Sequence, residues 1–525
     1  MNIDRKTAFP SALRTNLERA YHPHKALGQL FEDVQIQNIL SDNKQIVDGV
    51  PSNAPFIIAE IYRCCKNNPG FNIKRFTQAY IQAPTGSADS ERGAIEGGNK
   101  DGLIAHLHQH WHKLLRKASD TKSPWTSLVG LPHPYIVPGG RFREMFYWDS
   151  YFTMVGLIAS QEVSIALGML RNFRYLIDSY GFIPNGNRSY FQSRSQPPFY
   201  FAMLLLCKPY LAEEEWLSYF SSLEKEYSFW MDQHLQLPRA GYRGSHLVTS
   251  LQLPFANRYN GTCSAPRPEA YGKEWRWASN VASEAKPSFY RNLQAVCESG
   301  WDFSSRWFSD GKSKQSIDID KIAPVDLNAL LYGVESLLVE MATCLGEFDK
   351  AKQYQQRALS RRATLNEHFW DHKKGCYQDI YFDSGLPTGR LTLAMCYPLF
   401  TNAATSEYAA NIAEWLERKF LKAGGLVTTC QTSSEQWDAP NGWPPLQYVA
   451  VVGLRNYGYN KLATVIAKRW NDMVERQYHK DGRLLEKYNV MRPTSPASEG
   501  DYPTQDGFGW TNGVTLAFHA LLSGD

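Results

Sequence analysis

Two kinds of helix-period segment alternate along this chain, and that alternation restricts its fold more than any other feature. Six segments are apolar nearly all round, at 148–160, 197–207, 324–342, 389–400, 444–458 and 509–522. Six others are amphipathic with charged outer faces, at 101–119, 161–181, 213–232, 348–370, 406–420 and 459–478. A helix apolar on every face is buried, and an amphipathic one lies outside it. Strand-like alternation is scarce. The expected fold is therefore all-α, an (α/α)6 barrel of six inner and six outer helices. An open helical solenoid is the alternative, but the chain shows no fixed repeat period.

In such a barrel the loops that enter the inner helices converge at one end. Residues 1–100 read as an irregular N-terminal extension packed on the barrel, and 101–525 as the catalytic barrel. The polar stretch 85–102 reads as an exposed loop. Residues 185–188 and 233–300 read as irregular excursions at the loop end, and excursions of that length in a compact domain usually serve function.

Charge and cysteine usage exclude several classes. Fifty-six Lys and Arg face 52 Asp and Glu, a net +4 spread along the chain, with no basic cluster for nucleic acid. FYFAMLLLC (199–207) is among the longest apolar runs and is too short to span a bilayer. The nine cysteines lack CxxC pairs and His/Cys ligand spacing, which argues against zinc and a disulfide framework. Unpaired thiols, with an N-terminus lacking a secretory apolar core, lead to the expectation of a cytoplasmic protein. No metal, cofactor, nucleic-acid or membrane partner is expected, and the chain is expected to be a monomer.

The loops ahead of the inner segments carry unusual chemistry. PGGRFREMFYWDSYFT (138–153) sets Arg141, Trp148 and Asp149 among glycines and aromatics. QWDAPNGWPP (436–445) repeats the Trp-Asp pair ahead of another inner segment. Trp offers a flat apolar face to sugar C–H groups, while Asp, Asn and Arg bond hydroxyls. PNGNRSYFQSRSQPP (184–198) holds Asn185, Arg194 and Gln196 just before an inner helix, where a solvated loop is the plain alternative. PRPEAYGKEW (266–275) holds Arg267 and Glu269, which by themselves read as a surface salt bridge.

Two segments offer acid–base chemistry. ESGWDFSSRW (298–307) places Asp302 between Trp301 and Phe303, where desolvation raises a carboxyl's pKa and suits it to act as an acid. An N-cap or a partner for Arg306 is the alternative role. RLLEKYNV (483–490) places Glu486 among apolar residues, in competition with Glu499, Asp501 and Asp506, and with pairing to Lys487 or Arg483 as its plain reading. An aromatic pocket with one protonated carboxyl and one carboxylate fits glycoside hydrolysis.

PGGRFREMFYWDSY and QWDAPNGWPP closely resemble the two signature stretches of the trehalases, with Phe146 where the usual signature has Tyr. The resemblance continues through LGQLFEDVQ, IPNGNRSYFQSRSQPP, PRPE, ESGWDFSSRW, LLEKY and QDGFGWTNG, covering nearly the whole chain from about Leu27. It implies an (α/α)6 barrel that hydrolyses α,α-trehalose with inversion at the attacked carbon. It further implies Asp302 as general acid and Glu486 as general base, roughly 6.5–9.5 Å apart around a water. The implied substrate-binding residues are Arg141, Trp148, Asp149, Asn185, Arg194, Ser195, Gln196, Arg267, Glu269 and Gly300. Many relatives carry a glycine-rich run ending in Glu-Tyr after the LLEKY-like motif. Here SPASEGDY stands there, so that Asp501 takes the Glu position and Pro493 and Pro496 stiffen the segment. A related barrel glycosidase on another α-linked disaccharide and an inactive trehalose-binding sensor are the alternative functions.

Overall fold

The computed structural model describes residues 21–82, 102–118, 123–234 and 238–524. All twelve helix-period segments lie in or overlap helices, numbered here α1 to α12 in chain order. The inner helices are α2 (Tyr147–Ala159), α4 (Tyr200–Cys207), α6 (Val325–Cys344), α8 (Tyr397–Phe400), α10 (Pro444–Asn456) and α12 (Gly509–Ser523). The outer helices are α1 (Leu103–Leu114), α3 (Val163–Tyr180), α5 (Phe220–Trp230), α7 (Phe348–His368), α9 (Ser406–Trp415) and α11 (Asn460–Asp481).

Each inner helix packs against the next, and α12 returns to α2 to close the ring. Two glycines make that closure possible: a Cβ on Gly156 of α2 would sit 2.2 Å from the Gly513 Cα of α12. Buried apolar side chains from inner and outer helices form one continuous core. Helix α6 is 20 residues long and apolar enough to cross a bilayer, but it stands in the barrel wall with most of its residues buried.

Three segments differ from the expectation. The inner segment 389–400 has only a 3-10 turn, Leu393–Cys396, ahead of the short α8. Its entry is not helical because Thr392 bridges to Thr429 and the Leu393 N–H donates to the Thr428 carbonyl. The outer segment 213–232 splits into Glu213–Leu217 and α5. Within 233–300, helices form at Tyr271–Trp277 and Lys286–Glu298. The second carries Pro287 in its first turn and buries Phe289, Leu293 and Val296, one stripe at helical spacing.

The N-terminal part carries helices Gln29–Ile36, Pro55–Cys65 and Ile73–Tyr80. Leu30, Phe31, Val34 and Ile58 form an apolar cluster that also takes in Phe146, Tyr190 and Phe191 from the barrel's loop end. Lys44 donates to Glu144 at 3.0 Å and Arg141 pairs with Asp42 at 2.6 Å, which pins this part beside the inner-helix entrances. Of the 85–102 stretch, only Gly102 falls among the described residues.

Candidate active site

The inner-helix entrances and the loops above them enclose a cavity of about 950 Å³, its open mouth included. Gly139 and Gly140 start one wall with φ of +118° and +57°, a backbone that favours glycine. A Cβ on Gly139 would lie 2.5 Å from the Gly507 carbonyl oxygen, so the turn lies directly against the segment before α12. Arg141 follows, its guanidinium bidentate on Asp42 (3.1 and 2.6 Å) and also lining the cavity. Trp148 and Asp149 lie in the first turn of α2, where the Trp148 N–H donates to Gln196 Oε1 at 3.1 Å. Burial pushes the Asp149 carboxyl well above the usual carboxylate range, and the nearby Glu486 and Asp302 push it further.

The 184–198 loop and the Arg267 turn face each other across the site. Arg194 Nη2 donates to Glu269 Oε1 at 2.7 Å and approaches Asn185 Oδ1 at 3.4 Å. Arg194 Nε and Nη1 and Glu269 Oε2 are buried without a hydrogen-bond partner. Arg194 and Glu269 both line the cavity. Arg267 pairs with Glu274 and, at 3.3 Å, with Glu269. The Arg267–Glu269 contact is thus a buried ion pair at the cavity and not a surface salt bridge. Ser195 does not line the cavity: its hydroxyl donates to the Ile183 carbonyl at 2.7 Å and its N–H to Glu298 at 2.9 Å.

Asp302 stands on a loop clamped from behind. Gly300 has φ +75°, and a Cβ there would come within 2.8 Å of the Trp148 indole. Trp301 stacks on Trp437 at 5.5 Å, and Trp437 stacks on Trp443 at 3.8 Å. Asp438 is fully buried and accepts from the Ser304 hydroxyl (2.8 Å) and the Ser305 N–H (2.9 Å). The second Trp-Asp pair therefore divides its labour: Trp437 lines the cavity, while Asp438 anchors the loop that carries Asp302. Arg306 is held by Asp326 and Asp379, each at 2.8 Å, and leaves Asp302 unpaired by it. Burial raises the Asp302 carboxyl to about 6, with Arg267 opposing the rise and Asp501 adding to it.

Glu486 is 1% exposed and fixed at both carboxylate oxygens. The Tyr502 hydroxyl donates to Oε1 at 2.8 Å, and Lys487 Nζ to Oε2 at 3.1 Å. Its backbone is tied as well, N–H to the Gln505 carbonyl at 3.0 Å and carbonyl to Trp510 Nε1 at 2.9 Å. The pairing with Lys487 foreseen as a trivial alternative is real, but it is buried and lies beside the cavity. Arg483 pairs instead with Asp506 at 3.3 Å, and Glu499 is exposed. Asp501 lines the cavity, with its carboxylate 3.6 Å from Lys314 and its carbonyl accepting from Lys273.

Sequence reasoning did not single out Lys487, Tyr502 or Gln436 as site residues, nor Asn43 and Lys44 of the N-terminal part, which reach the cavity wall. Lys487 is itself the lysine of the LLEKY stretch, which is the one signal for it; nothing local marks Lys44. Among the described residues, no group of three His, Cys, Asp or Glu is arranged to hold a metal ion.

A family model described as trehalase matches residues 39–523. The chain is 41% identical over 504 residues to a periplasmic trehalase of Pseudomonas aeruginosa, covering 95% of this chain and 90% of that one. It is 39% identical over 502 residues to a periplasmic trehalase of Citrobacter koseri, covering 95% and 86%. Among solved structures, the neutral trehalase Nth1 of Saccharomyces cerevisiae matches with a TM-score of 0.60 at 26% identity, over 74% of this chain and 75% of that one. A GH63 mannosylglycerate hydrolase of Thermus thermophilus shares the fold, with a TM-score of 0.53 at 18% identity over 79% of this chain and all of that one.

These relatives correct the expectation of a cytoplasmic protein, because the similar bacterial sequences are named periplasmic. The cysteine argument failed for a physical reason. All nine thiols are free, and Cys207, Cys297, Cys376 and Cys396 are buried. Thiols without a partner in bonding geometry stay free in any compartment.

Proposed function

The chain belongs to the trehalase family, and on that premise we propose that Asp302 and Glu486 are the acid and base with which it hydrolyses α,α-trehalose to two glucose molecules. The observation that carries the assignment is the unlike environment of two carboxyls on one cavity. Asp302 is raised to about 6 by burial, while Glu486 faces a buried ammonium and a phenol donor. A carboxyl raised by burial suits an acid, and a carboxylate held by two donors suits a base.

In this reading, one glucose unit lies against Trp437 and Trp148, with its hydroxyls on Asp149, Asn185, Arg194 and Gln196. The Arg194 and Glu269 atoms without a protein partner are free to bond the sugar's hydroxyls. The Asp149 carboxyl, pushed well above the usual carboxylate range by burial and further by Glu486 and Asp302, meets a sugar hydroxyl from the first turn of α2. Arg267, Glu269, Arg141 and Asp501 complete the polar wall. Ser195 acts from behind by holding the loop that presents Arg194 and Gln196.

Glu486 takes a proton from the water that attacks one anomeric carbon. Asp302 gives its proton to the shared glycosidic oxygen, and the C–O bond to the attacked carbon breaks. One glucose leaves with its configuration kept and the other inverted, and no sugar–enzyme bond forms. The charges are then reset by proton exchange with solvent.

Glucose release from α,α-trehalose by wild type, Asp302→Asn and Glu486→Gln tests the assignment. Each variant should fold, bind the disaccharide and lose activity by on the order of 10³-fold or more. Near-normal turnover in either variant would remove that residue from its role. The relatives' names also support a periplasmic site of action. Fractionation against a periplasmic marker enzyme checks it, and recovery in the cytosol would reject it.

A further inference from the structure

Gln436 is 1% exposed, and its amide joins the two halves of the site. Nε2 donates to the backbone carbonyl of Asp302. Oε1 accepts from Lys487 Nζ at 3.1 Å, and the same ammonium donates to Glu486 Oε2 at 3.1 Å. The amide cannot be turned round: an ammonium only donates and a backbone carbonyl only accepts, so each end of the amide has one compatible partner.

The surroundings fix Gln436 itself. Its backbone carbonyl accepts from Asn441 Nδ2 at 3.0 Å and from Trp443 Nε1 at 2.9 Å. Gly500, with φ +68°, packs onto the side chain so closely that a Cβ there would lie 2.9 Å from Gln436 Cβ. Gln436 is thus held by the loop before α10, touches the acid's backbone and the base's ammonium, and supports the segment that carries Asp501 and Tyr502. It does not itself line the cavity.

We propose that Gln436 is a positioning residue whose amide sets the gap between the general acid and the general base. An inverting hydrolase needs that gap held at the size of one water, and a misplacement of about 1 Å in such a geometry costs on the order of 10²-fold in rate. Only a neutral amide of this length completes the link. A carboxylate at this position would pair with Lys487 but has no proton for the Asp302 carbonyl. Methionine would fill the volume and make neither bond. The inference rests on the roles assigned above to Asp302 and Glu486.

The test is steady-state kinetics of Gln436→Met and Gln436→Glu on α,α-trehalose, with melting temperatures, beside Asp302→Asn and Glu486→Gln. Both Gln436 variants should lose kcat by about 10²-fold with KM within about threefold of wild type, because substrate contacts are untouched. Gln436→Glu should also displace the pH profile of kcat toward alkaline pH, since it brings a negative charge beside both carboxyls. Wild-type kcat in Gln436→Met overturns the proposal. So does a loss of activity that follows only the folded fraction of each variant. If Gln436→Met does not fold, the isosteric Gln436→Glu carries the same test by its kcat–KM split and pH shift. Full activity in Asp302→Asn or Glu486→Gln would instead show that the underlying assignment had failed.

Discussion

The Tyr502 hydroxyl donates to Glu486 Oε1 at 2.8 Å, so a residue of the cavity wall holds one oxygen of this carboxylate while Lys487 holds the other. A carboxylate gripped from both sides keeps one orientation, which the base role proposed for Glu486 requires. Hydrogen bonds to charged groups contribute about 1.5–3 kcal/mol. Tyr502→Phe should therefore lower kcat by roughly 10- to 100-fold, with a smaller change in KM. Parallel changes in kcat and KM, or none, would mean that the phenol serves only to cover the site.

The acid predicts an alkaline limb. In the acid role proposed for it Asp302 must be protonated, and burial raises its carboxyl to about 6, so kcat/KM should fall as pH rises through that value. Asp501 raises this carboxyl and Arg267 lowers it. Asp501→Asn should accordingly move the limb to lower pH, and Arg267→Gln should move it higher at a reduced overall rate. Rate profiles over pH 4–9 decide this, and an unmoved limb in both variants would separate Asp302 from the titration.

The same carboxyl should cost stability at neutral pH. Its pKa is raised on folding, so the native state keeps a proton that the unfolded chain releases between about pH 4 and 6. The stabilisation is present below the unfolded value and lost as pH climbs through 6. Asparagine has no such titration. Asp302→Asn should gain on wild type as pH rises from 4 to 7.5, by about 1–2 kcal/mol once partial solvent contact is allowed for. A Tm difference between the two proteins that stays constant with pH would contradict this.

The barrel was legible because the property that marks an inner helix, apolarity on every face, is carried by each segment alone. The inner segment 389–400 was overestimated because the backbone at Thr392 and Leu393 pairs with Thr428 and Thr429, partners remote in sequence. Asp302 and Glu486 stood out because each lies in a run resembling a family motif, and both line the cavity. The roles of Lys487 and Gln436 could not, since they exist only where three chain segments meet. Asp438 illustrates the opposite error: its local setting matches that of Asp149, yet Ser304 and Ser305 claim it for the scaffold. Asn43 and Lys44 enter the wall through a cluster of ion pairs that no short stretch announces.

Proton NMR of α,α-trehalose during its first turnovers tests the central claim most directly, by reading the anomers before they interconvert. Direct attack of water with inversion predicts α- and β-glucose appearing in equal amounts from the start, lost in Asp302→Asn and Glu486→Gln. Initial α-glucose alone would contradict inversion, and with it the roles given to Asp302 and Glu486.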